Sequence, residues 1–99
     1  MIEISQTSVF RNWLRKLKDP VAVAHIARRI DRLSRGGFGD AKSVGNRVSE
    51  LRINTGPGYR VYFTRRGDVL VILLCGGDKG TQNKDIATAK RLLEENKGG

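Results

Sequence analysis

Two short segments alternate in polarity so regularly that a strand is the natural conformation for both. Residues 49–54 (Ser-Glu-Leu-Arg-Ile-Asn) and 58–64 (Gly-Tyr-Arg-Val-Tyr-Phe-Thr) carry this pattern, and successive strand side chains point to opposite faces. Leu51, Ile53, Val61 and Phe63 therefore share one face, while Arg52, Arg60 and Tyr62 share the other. The apolar face binds the sheet to its helices, and the opposite face becomes a cationic surface. Residues 69–75 (Val-Leu-Val-Ile-Leu-Leu-Cys) are apolar throughout, as expected of a central strand covered on both sides. The linking segments Thr55-Gly56-Pro57-Gly58 and Arg66-Gly67-Asp68 are turn formers. Strands near 49–54, 58–65 and 68–76 then follow one another as an antiparallel meander.

The flanking sequence reads as helical. Phe10, Trp13, Leu14 and Leu17 recur at helical spacing, with Arg11, Arg15 and Lys18 between them and Thr7 or Ser8 as the cap. Asp19-Pro20 starts a second helix, since Asp is a good N-cap and Pro fits the first helical position. Its stripe is Val23, Ile26, Ile30 and Leu33, ending at Gly36-Gly37. A strand over residues 1–5 precedes these helices, and a glycine-rich loop over residues 36–48 follows them. Gly76 to Gly80 closes the last strand, and a final helix covers residues 82–95 with Ile86, Ala89 and Leu93 inward. The order is β-α-α-β-β-β-α, an α+β domain with helices packed mainly on one sheet face.

Ninety-nine residues suit one domain with a modest core. The chain carries 19 Lys and Arg against 10 Asp and Glu, a net charge of +9. Residues 1–66 hold 14 basic and 5 acidic side chains, and residues 67–99 hold 5 of each. The excess lies in the first two-thirds and predicts a polyanion or an acidic protein as partner. Cys75 has no second cysteine to pair with, so it is expected as a buried thiol in a cytoplasmic protein. No apolar run approaches the roughly 18–20 residues that span a bilayer, and no signal pattern opens the chain.

The segments Val48-Ser49-Glu50-Leu51-Arg52-Ile53, Gly58-Tyr59-Arg60-Val61-Tyr62-Phe63 and Leu73-Leu74-Cys75-Gly76-Gly77-Asp78-Lys79 resemble the RelE/HigB-like toxins of bacterial type II toxin–antitoxin systems. Within that superfamily the chain is similar to the addiction module killer proteins, the phage-derived Gp49-like branch. The resemblance covers nearly the whole chain in the same element order and implies one RelE-like toxin domain over residues 1–99. It implies a metal-independent endoribonuclease, without cofactor, that cleaves mRNA on the ribosome and arrests translation. It also implies a cognate antitoxin that doubles as a helix-turn-helix DNA-binding repressor.

RNA self-cleavage needs the 2′-hydroxyl deprotonated, the charge of an in-line phosphorane stabilised, and the leaving 5′-oxygen protonated. A guanidinium suits the second task because it stays charged and grips two phosphate oxygens. Arg60 matches the family's strand arginine and is assigned that role. Arg52 clamps the same phosphate or an adjacent one; the alternative for both is a pair of solvated strand cations. Lys79, near the final helix, stabilises the leaving group or acts as the acid. Tyr62 is expected to face the substrate and stack on a base. Further RNA contacts are assigned to Arg47, Arg65, Lys84 and Gln82. Glu50 reads as a general base or as a charge partner of Arg52 or Arg60. Asp78 caps the helix, orients an arginine or takes part in proton transfer. The single histidine, His25, lies on the second helix, so no histidine mechanism carries over.

Other readings use the same residues differently. A non-catalytic inhibitor of a protein such as DNA gyrase, as in the ParE relatives, fits a similar scaffold. A plain nucleic-acid-binding module predicts no toxicity. Residues 37–43 superficially resemble a phosphate-binding loop, but they lack its Gly-Lys-Ser ending and follow a helix. The stripe of Arg28, Arg32 and Arg35 holds RNA or ribosomal backbone, or is a solvated face. Trp13 reads as core.

Overall fold

The alternating segments pair as a meander in the computed structural model, which describes residues 1–39 and 41–95. Strands β3 (Val48–Ile53), β4 (Tyr59–Arg66) and β5 (Leu70–Asp78) are consecutive antiparallel neighbours. The register sets Leu51 opposite Val61 and Arg52 opposite Arg60. The helices are α1 (Ser8–Lys16), α2 (Pro20–Ser34) and α3 (Gln82–Glu95), the last preceded by a 3-10 turn over Lys79–Thr81.

Two strands lie outside the meander. β1 (Glu3–Gln6) runs parallel to β5, and β2 (Ala41–Gly45) pairs antiparallel with β3. The five-stranded sheet therefore has the order β1-β5-β4-β3-β2 and is mixed. β2 occupies part of the segment expected to be a loop. Its Ala-Lys-Ser-Val-Gly sequence has little β-branched content, and partnership with β3 overrides that weak preference. Asn46 (φ 53°) and Arg47 (φ 65°) form the two-residue turn between them. Asp40, part of the stretch compared with a phosphate-binding loop, lies outside the described residues.

Local signals set the helix ends. The Thr7 side chain accepts from Phe10 N at 3.0 Å, and Asp19 Oδ1 accepts from Ala22 N at 3.1 Å. Pro20 follows as the first helical residue of α2. Thr7 also ties α1 to β5, its hydroxyl donating to Leu74 O at 2.6 Å.

The sheet separates two cores. Phe10, Ile26, Leu33, Leu51, Ile53, Val61 and Phe63 are buried together where α1 and α2 cover one face. On the other face, Val48, Tyr62, Leu74, Cys75, Ala89 and Leu92 are buried under α3. Two helices thus share one face while the third covers part of the opposite one. A register shift makes this second core possible: Tyr62 pairs with Cys75 but Phe63 pairs with Leu73, leaving Leu74 as the extra residue of a bulge.

Two adjacent glycines let both layers approach β5. A Cβ on Gly76 would overlap the Trp13 ring, and one on Gly77 would overlap the Asp85 carboxylate. Trp13 is accordingly a packing residue, tilted against Phe10 and edge-on to Tyr59. Among the described residues no helix is long and apolar enough to cross a membrane. Gly76→Ala should lower stability by about 1–3 kcal/mol, the usual cost of overpacking, measured as a reduced urea midpoint at unchanged m-value.

Candidate active site

The cationic strand face is partly open at one end, where β3 meets β4 beside the first turn of α3. Arg52 and Arg60 stand opposite each other there. Like charges in directly opposed strand positions repel, and Glu50, two residues before Arg52 on the same face, answers them. Its carboxylate is 1% exposed. Oε1 accepts from Arg52 Nε at 3.0 Å and lies 3.7 Å from Arg60 Nε. Oε2 accepts from Gln82 Nε2 at 2.7 Å and from the Tyr62 hydroxyl at 3.3 Å. Glu50 is the charge partner of both arginines, and its oxygens are spent on these donors.

Arg60 is 8% exposed, and its Nε has no hydrogen-bond partner among the described residues. A buried guanidinium nitrogen without a hydrogen bond is costly, and here the Glu50 carboxylate offsets that cost only as an ion pair. The side chain borders an open cleft of about 560 Å³, lined also by Asn54, Thr55, Gly56, Pro57, Gly58 and Lys79. Gly58 (φ 81°) brings the two cations together: a Cβ there would lie 3.6 Å from Lys79 Cβ and 3.8 Å from Arg60 Nη1. Lys79 is exposed at the head of the 3-10 turn. Asp78 caps that turn, its Oδ1 accepting from Gly80 N at 2.7 Å.

The structure reorganises the remaining expected contacts. Tyr62 does not face substrate: it is fully buried beneath α3. The helix must bury Ile86, Ala89, Leu92 and Leu93, and it does so over this part of the face. Burial and the neighbouring Glu50 push the Tyr62 phenol well above its ordinary range. The Gln82 amide is engaged with Glu50, so it supports the site from behind. Arg65 points to the other face, its guanidinium 4.0 Å from the centroid of the Phe38 ring and paired with Asp68. Arg47 lies at the far end of β3, and Lys84 is exposed on α3.

Sequence reading missed Asn54. It lines the Arg60–Lys79 cleft, a second one with Lys42 and Arg52, and a third with His25, Arg28, Arg29 and Arg32. The basic side of α2 thereby adjoins the site, and Arg29 Nη1 donates to Arg52 O at 3.0 Å. Arg35 instead pairs with Asp31 at 3.3 Å. Asp85 was also missed; it lies over Gly77, the strand partner of Arg60. The signal was that glycine, which leaves room for a carboxylate.

With this geometry in hand, comparison with known proteins is direct. Residues 12–94 match the family model of phage-derived Gp49-like proteins (DUF891). The chain belongs to this family. It is 56% identical over 94 residues to an uncharacterized protein of Haemophilus influenzae, covering 95% of each chain. Its fold is that of a free-state mutant of Escherichia coli toxin RelE, with TM-score 0.71 over 91% of this chain and 96% of that one, at 15% identity. The Gp49-like protein is thus RelE-like in architecture, as its strand block implied.

Two outcomes follow for the Gp49-like protein. Glu50→Ala should cost about 3–5 kcal/mol in chemical denaturation, because it leaves buried positive charge uncompensated. Burial first, then Asp85, raises the Cys75 thiol from 9.0 to about 12, with Arg91 opposing. A folded pKa above the unfolded one means stability is fully present below pH 9 and lost as pH rises toward 12. The loss approaches about 1.4 kcal/mol per pH unit for each proton released on unfolding. Cys75→Ala should flatten that alkaline slope in pH-dependent urea melts.

Proposed function

We propose that this protein is the toxin of a type II toxin–antitoxin pair and that it cleaves mRNA at a phosphate held by Arg60. The observation that carries this reading is the Arg60 guanidinium, ion-paired to Glu50 but with no hydrogen bond to its Nε among the described residues, lining a cleft together with Lys79. Family membership and the RelE-like fold support the toxin assignment. The net charge of +9 supports a polyanionic substrate.

In this mechanism the RNA 2′-oxygen attacks the adjacent phosphorus in line, the P–O5′ bond breaks, and the 2′-hydroxyl proton passes to solvent water. Arg60 gains a hydrogen bond and charge contact as the phosphorane becomes more anionic, so it stabilises the transition state more than the ground state. Arg52, held by Glu50, neutralises the same phosphate or its neighbour. Lys79 protonates the departing 5′-oxygen. The products are a 2′,3′-cyclic phosphate and a new 5′-hydroxyl end. Positive charge comes from side chains, so the reading is metal-independent and cleavage should persist in EDTA. Glu50 acts as a positioning group, because its oxygens already accept from Arg52, Gln82 and Tyr62.

The test is induction in a bacterial host followed by primer extension on cellular mRNA, with and without translation. New 5′ ends in wild type, reduced about 10²–10³-fold by Arg60→Ala, are expected for loss of one transition-state donor. Circular dichroism checks that the variant is folded. Cleavage retained by a folded Arg60→Ala protein would refute the site. Growth arrest with DNA damage and no new RNA ends would establish a gyrase-type inhibitor instead.

A further inference from the structure

A second cationic cleft lies at the other end of the sheet, and nothing in the proposed cleavage uses it. Its volume is about 450 Å³, and its walls include Arg47, Thr64, Arg66, Lys90, Leu93 and Glu94. These residues come from the β2–β3 turn, the end of β4 and the last turns of α3. Val48 pairs with Thr64 at this end, four residues from the Arg52–Arg60 pair. At the usual rise, the two ends stand about 13 Å apart along the strand.

Arg47 occupies a backbone position that favours a different residue. It is the second of two consecutive residues with positive φ in a two-residue hairpin turn, after Asn46. Such turns prefer Gly at that place because an L side chain is strained there. The arrangement is nonetheless held: Thr64 Oγ1 donates to Arg47 O at 2.8 Å. Across the cleft, Lys90 reaches back over the hairpin, where a Cβ on Gly45 would lie 3.4 Å from Nζ. An arginine thus stands where glycine would relieve strain, and it lines the same cleft as Lys90.

We propose that this cleft docks an acidic, leucine-bearing segment of a partner protein. Arg47 and Lys90 supply the counter-charges, and Leu93 supplies an apolar contact between them. Nucleic acid fits less well, because no aromatic ring lines the cleft for base stacking. A segment seated here leaves the Arg60–Lys79 cleft uncovered. The proposal rests on the partner half of the toxin–antitoxin reading and not on RNA cleavage, so peptide binding without RNA tests it separately.

The experiment titrates full-length protein into a fluorescein-labelled Glu-rich peptide with spaced Leu residues, followed by anisotropy. Arg47→Gly removes the guanidinium and relieves the turn, so it should match or exceed wild type in thermal stability. It should also weaken peptide binding about tenfold, as loss of a close charge pair does. Lys90→Ala should weaken it similarly, a Leu-to-Ser peptide should bind less well, and Arg60→Ala should bind normally. Unchanged affinity in Arg47→Gly would overturn the proposal. So would equal weakening by Arg60→Ala, or displacement of the peptide by oligouridylate with the same dependence on Arg47, which would assign the cleft to RNA.

Discussion

A buried carboxylate between two arginines governs the functional end of this molecule. Arg52 and Arg60 are opposed across neighbouring strands, an arrangement that Coulomb repulsion disfavours. Glu50 removes the repulsion, but an almost fully buried carboxylate must itself be supplied with donors. Tyr62 supplies one from the strand and Gln82 another from the first residue of α3. Seating α3 therefore stabilises the cationic face by adding the Gln82 donor. Helix docking and arginine geometry are a single arrangement, since the helix that closes the second core also holds the carboxylate that spaces the arginines.

The same economy is visible at Gly76 and Gly77. Consecutive residues of β5 face opposite sides of the sheet, so two missing side chains admit one close neighbour from each layer. Trp13 fills the space over one, and Asp85 takes the space over the other. The glycines bring both layers close to β5 next to the residues that carry the chemistry. Lys79 follows them directly, and the Asp78 cap fixes where the strand ends and the turn begins.

Much of this was legible in the chain because alternation and turn chemistry are local. Leu51, Ile53, Val61 and Phe63 were assigned to one face, and all are buried in the first core. The capping roles of Thr7, Asp19 and Asp78 were likewise readable, since each side chain bonds a backbone amide two or three residues on. β2 was illegible because an edge strand with one partner needs little intrinsic preference. The parallel placement of β1 was illegible because its partner β5 follows only after α1, α2 and three further strands, so the pairing is non-local.

By itself the sequence determined which side chains share a face, where helices begin, and that Arg52 and Arg60 lie together. Only the tertiary structure decided what covers that face. Tyr62 was expected to face substrate, but α3 must bury its own apolar stripe and takes the Tyr62 end. That choice turned Tyr62 from a candidate base platform into a hydroxyl donor beneath the site, and Gln82 into its anchor. Arg47 stands apart from Arg60 because it lies just beyond the opposite end of the β3–β4 pairing. Strand period is a local property of the chain. Which part of a face stays open depends on apolar area contributed by a distant helix, and period alone does not encode it.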